Sequence, residues 1–129
     1  MIVERSAHDH PETIRRLTAS VQEHGLTIFA RIDHAAGARE VGLELPDEQV
    51  LVFGNPKAGT ALMRDDPRIG IELPLRMLVW TDDQGVAAGY EDPRELAGRF
   101  AVSAHASTLD AMAQLLAALA RAACAPSTA

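Results

Sequence analysis

A single cysteine, Cys124, leaves no intramolecular disulfide and no cysteine-built metal site open to this chain. Clusters of lysine and arginine are missing too. Twelve basic against eighteen acidic residues give a formal net charge of −6, so no phosphate-tracking surface is expected and nucleic acid is set aside as a partner. No stretch offers the roughly 18 uninterrupted apolar residues of a membrane span. The start, Met1-Ile2-Val3-Glu4-Arg5, lacks the basic segment and apolar core of a secretory leader. The expectation is a cytoplasmic protein without a membrane partner. No internal repeat and no linker interrupt the sequence. With 129 residues, 47% of them hydrophobic, there is material for one core, and 1–129 reads as a single domain with 124–129 as a frayed tail.

What is present is organised around Val50-Leu51-Val52-Phe53-Gly54-Asn55-Pro56-Lys57-Ala58-Gly59-Thr60. A short apolar run rich in β-branched residues reaches a Gly-Asn-Pro breaker and then a helical pattern, which reads as buried strand, turn and helix start. Asn55 is the expected cap and Pro56 the first helical residue, where a missing N–H costs nothing.

The remaining segments fall into place around it. Ile2 and Val3 open a short edge strand. Asp9 or His10 caps a helix with Ile14, Leu17 and Val21 on one stripe, closed at His24-Gly25. Leu26, Ile28, Ala30 and Ile32 then alternate with polar residues and with Phe29, which predicts one continuous inner face. Leu43 to Leu45 reads as extended, as does Ile69 to Leu73, and Pro74 suggests a sheet edge. Leu75 to Thr81 and Val86 to Tyr90 form a hairpin around Gly85. Asp92-Pro93 begins a short helix, and Ser107 is the expected cap of a last long helix carrying Leu109, Met112, Leu116 and Leu119, its stripe widened by Leu115. The fold class is α+β in the order strand, helix, antiparallel strands, helix. About five mainly antiparallel strands are packed by two longer helices, with short helices in the connections.

The segments Ile32-Asp33-His34-Ala35-Ala36, Phe53 to Thr60, Leu73-Pro74-Leu75-Arg76 and Tyr90-Glu91-Asp92-Pro93 together make the chain resemble the bacterial domain of unknown function 302 family. The resemblance covers nearly the whole chain. It implies an α+β domain that forms dimers, and no established activity.

Gly54 to Thr60 nearly spells a phosphate loop, but Pro56 has no N–H to offer and Thr60 stands where the lysine belongs, which argues against nucleotide hydrolysis. Asn55, Lys57 and the helix start remain candidates for a carboxylate or phosphate on a small ligand. Asp33 and His34, at a strand end, could hold a ligand or transfer a proton. Arg76, flanked by apolar neighbours, calls for an anion or solvent. His8-x-His10 is read as a polar entry loop, with no metal or cofactor assigned, and no serine or cysteine has a nucleophile's setting. The leading expectation is noncatalytic binding of a small, anionic ligand, or a regulatory role, using Asp33, His34, Asn55, Lys57 and Arg76. The alternatives are an enzyme with Asp33/His34 proton transfer and Lys57 as oxyanion partner, or a purely structural dimer module. A homodimer is expected, because two helices cover only one face of such a sheet.

Overall fold

Each segment with an apolar repeat of three and four becomes a helix, and the caps follow local side-chain chemistry. The computed structural model describes residues 1–128. Strand β1 (Ile2–Arg5) leads to helix α1 (His10–Glu23), where the Asp9 carboxylate accepts the Glu12 N–H at 2.9 Å. At its end Gly25 takes φ 69° and donates to the Gln22 carbonyl at 2.9 Å, while Leu26 donates to the Val21 carbonyl at 3.2 Å. These two bonds satisfy carbonyls that a helix end otherwise orphans. Then follow β2 (Thr27–Asp33), α2 (His34–Glu40), β3 (Glu48–Gly54), α3 (Pro56–Asp65), β4 (Leu75–Asp82), β5 (Gly85–Tyr90) and α4 (Ala106–Cys124). Tight 3-10 turns occupy Pro67–Ile71, Pro93–Gly98 and Ser103–His105.

The five strands form one antiparallel sheet in the order β1-β5-β4-β3-β2, so the α+β class holds. On one face Leu51, Phe53, Met77 and Val79 are fully buried, beneath Leu17 and Val21 of α1 and Leu109, Leu116 and Leu119 of α4. The other face is not covered by either of the long helices α1 and α4. A register row of Val3, Gly89, Leu78, Val50 and Ile32 runs across all five strands there, with Val3 and Ile32 each 47% exposed. Gly89 is where the Trp80 ring lies: a Cβ at that position would stand 2.8 Å from the ring.

The continuous inner face expected of β2 is broken. Ile28 pairs with Phe53 but Ala30 pairs with Val52, so Phe29 is an extra residue in a β-bulge. Paired residues share a face, and the bulge therefore moves Ala30 and Ile32 to the open side and turns Arg31 and Asp33 to the helix side.

Other expectations change for local reasons. Residues 69–71 are in a 3-10 turn rather than extended, because the Asp66 carboxylate accepts the Arg68 N–H at 3.1 Å and Pro67 fits the turn's first position. Pro74 does not mark an edge: β4 lies between β3 and β5, and the proline stands just before the strand, where its missing donor breaks no ladder bond. Leu43 to Leu45 has no regular structure. Helix α4 starts at Ala106 without a side-chain cap, because the preceding 3-10 turn already feeds it helical backbone. The expected fraying of 124–129 fails at its start. Cys124 is 2% exposed, Ala7 donates to its carbonyl at 2.8 Å, His8 Nε2 bonds the Ala125 carbonyl at 2.7 Å, and Arg16 reaches the Ser127 hydroxyl.

Candidate functional site

Where β3 ends at Gly54, the chain turns through Asn55 and leaves the sheet as α3. The Asn55 Oδ1 accepts the Lys57 N–H at 3.0 Å, the cap that the Asn-Pro pair announces. Of α3's side chains only Leu62 is buried, so the helix stands off from the rest of the core. Between α3 and α4 lies a cavity of about 390 Å³. Gly54 and Leu75 line it from the sheet, Met63 from α3, Met112 and Leu115 from α4, and Phe29 and Leu73 complete its apolar wall. Its only polar wall residues are Asn55, Thr60 and Thr108.

The two helices are tied at the other end of α3. Asp65 Oδ2 meets His105 Nε2 at 2.7 Å. Beside it the Asp66 carboxylate, 4% exposed, accepts from Arg68 Nε at 3.0 Å, Arg68 Nη2 at 2.9 Å and the Ala101 N–H at 2.9 Å. The Arg68 guanidinium, with the Ala101 and Arg68 backbone donors, holds this carboxyl far below the usual range.

The five residues singled out from the sequence do not converge. Asn55 lines the cavity, whereas Lys57 is exposed and outside its wall. Asp33 spends its carboxylate capping α2, accepting the Ala36 N–H at 2.9 Å. His34 and Arg76 line one pocket of about 570 Å³, together with Ile32, Val50 and Leu78 of the open sheet face. The anion Arg76 needs is Glu72, at 3.2 Å, and Glu72 also takes Arg99 at 2.9 Å. Asp33 pairs with Gln49 at one end of β3, and Asn55 follows Gly54 at the other, a separation of roughly 17 Å along the strand. Asp33 and His34 therefore cannot share a reacting atom with Lys57.

Elsewhere, His10 is buried with Nε2 3.3 Å from the Val79 carbonyl. Among the described residues no three His, Cys, Asp or Glu side chains gather as a metal site. The cavity wall residues Phe29, Met63, Leu73, Thr108 and Met112 carried no functional signal in the sequence. The extra width that Leu115 gives the α4 stripe was the one available hint.

A family model described as domain of unknown function DUF302 matches residues 2–122. The crystal structure of an uncharacterized conserved DUF302 protein from Bacillus stearothermophilus aligns with a TM-score of 0.84, covering 95% of this chain and 96% of that one; at 21% identity the likeness shows the fold alone. Over 100 residues, 77% of this chain, the sequence is 44% identical to proteins named fluoride-specific ion channel FluC 1 from Brucella suis and FluC 2 from Brucella melitensis, spanning 39% and 37% of their lengths. The chain thus spans less than two-fifths of the curated relatives it matches. Among the described residues no helix is long and apolar enough to cross a membrane. With four separated motifs in order and a family match across nearly its whole length, the chain belongs to the DUF302 family.

Proposed function

We propose that this domain binds a small, largely apolar ligand in the cavity between α3 and α4, without transforming it, and that occupancy serves a regulatory role. The observation that carries the reading is the wall itself. A pocket of this size lined almost wholly by apolar side chains, with a few polar groups to fix orientation, suits a compact hydrophobic molecule. Asn55, Thr60 and Thr108 can orient such a molecule by hydrogen bonds, and none of them is an acid or base near neutral pH. The anionic ligand expected from Lys57 fits this cavity less well, because the lysine lies outside it. In the Brucella proteins a matching stretch forms the smaller part of a longer chain named as a channel. That placement suits a module whose occupancy is read by a larger protein.

A thermal-shift screen of medium-chain fatty acids and small aromatics tests the reading, since a ligand at 100 times its Kd adds about 2.7 kcal/mol of stability. At least one class should raise the Tm. Ala111, an exposed residue in the cavity wall, replaced by tryptophan should remove that rise while the variant folds. No response from either class, or a response that survives Ala111→Trp, would defeat the proposal.

A second reading, a homodimer paired through the open sheet face, is favoured by the apolar residues there, of which Val3 and Ile32 are each 47% exposed. Light scattering should return about twice the mass of one chain, and Leu78→Glu, placing a charge mid-row, should return the monomer. A monomeric parent protein would end this reading.

A further inference from the structure

The bulge at Phe29 places Arg31 on the helix side of β2, paired in register with the core residue Leu51. A groove of about 550 Å³ opens there between α1 and the sheet, with Arg31, Thr18 and Gln22 along one part and Asp47 and Gln49 along the other. It is separate from the α3–α4 cavity and shares no wall residue with it.

Two opposite charges face this groove without meeting. Arg31 donates from Nη2 to the neutral Thr18 hydroxyl at 2.7 Å and has no carboxylate in salt-bridge range among the described residues. Asp47 likewise has no cationic partner there. Arg15, which also borders the groove, is already held by Glu12 at 2.6 Å. His10 also lines the groove and is only 4% exposed. Its Nε2 must donate to the Val79 carbonyl, which can only accept, and Nδ1 has no partner among the described residues. A wall of this kind offers a cation, an anion, two amides and a ring nitrogen.

We infer that this groove is a binding site for a small zwitterion of the amino-acid class, its carboxylate on Arg31 and its ammonium on Asp47. A simple anion would meet Arg31 but be repelled by Asp47, and a simple cation the reverse. A molecule carrying both charges can pair with each of the two side chains, which are not in salt-bridge range of one another. The Gln22 and Gln49 amides are placed to select among side chains by hydrogen bonding.

The experiment is an NMR titration of the full chain with each of the common amino acids, with propionate and ethylamine as single-charge controls. At least one amino acid should shift the Thr18, Gln22 and Gln49 amides saturably, and neither control should match it. Asp47→Asn, at an exposed loop position, and Arg31→Gln should each weaken that binding by about tenfold or more, the worth of one charge-assisted bond. Silence from all amino acids overturns the inference. So does a control that binds as well as the best amino acid, or binding indifferent to Asp47→Asn. Because Asp47 lies outside the strands, its variant keeps the test decisive even if Arg31→Gln fails to fold.

Discussion

Replacing Phe53 with alanine should lower the free energy of unfolding by about 3–5 kcal/mol, the cost of a large ring removed from a core that only partly collapses around the space. The ring is fully buried, and its register partners are Ile28 on one side and Leu75 on the other. Phe53 and Leu75 belong to strands paired on both flanks, so neither can slide inward to fill the gap. Domains of this size are stable by only about 5–15 kcal/mol in total, which makes the loss a large share of the whole. Chemical denaturation monitored at Trp80, the single tryptophan, measures it directly. A loss below about 1 kcal/mol would mean that Phe53 is not where the core is densest.

Asp66→Asn should be the most damaging change among the polar residues. The carboxylate takes four hydrogen bonds, from the Arg68 N–H, Nε and Nη2 and from the Ala101 N–H. An amide of the same shape presents one acceptor oxygen and turns an NH₂ toward donors. The Tm at pH 7 should fall by more than about 5 °C. The effect on acid sensitivity has a definite sign. The folded-state carboxyl is held below its ordinary value, chiefly by Arg68, so its stabilisation is complete above the unfolded-state range and drains away as the pH falls through about 4 and below. Glu12 and Asp82 drain over a similar range. Arg15 holds the first at about 2 and Arg5 the second at about 2. Comparing parent and variant across pH 2 to 7 isolates Asp66: the Tm difference should be largest near neutrality and shrink in acid. A difference that does not change with pH would show that shape, and not charge, makes this residue important.

Much of the fold was legible because local chemistry and global pattern agree. Asp9, Asn55 and Asp92 cap the helices they precede, and each is an Asx residue with a proline close behind. The apolar repeats of α1 and α4 point into one core, as their spacing requires. What the sequence hid is where tertiary geometry overrules periodicity. At β2 an alternation from Leu26 to Ile32, with Phe29 the one apolar residue on its polar side, invites one face. A bulge inserts no residue type of its own, so the face change at Phe29 leaves no mark on the string. Pro74 looked like an edge because its missing donor was counted inside a strand that begins one residue later.

The site was less legible than the fold for a related reason. Asn55 could be found because a cap has a motif. The rest of the cavity wall is built from ordinary core residues, distinguished only by α3 standing away from them. Lys57 and Arg76 drew notice by charge, yet one faces solvent and the other already holds Glu72. Arg31, on a segment read as a simple half-buried strand, drew none.

The strand order also dictates how this chain can be assembled as it is made. Strands β2, β3, β4 and β5 are neighbours in space in the order of their synthesis, so a meander can pair progressively by short loop closures. β1 precedes these strands in the chain but joins last of the five: Ile2 must wait for Tyr90, and the segment after it is then tied to α4, whose end holds Ala7 through the Cys124 carbonyl. Until β1 docks, β5 presents a bare pairing edge to any other strand in reach. β1 is therefore a guard against wrong partners as well as the fifth strand, and the C-terminal turn of α4 is the last part to fasten it in place.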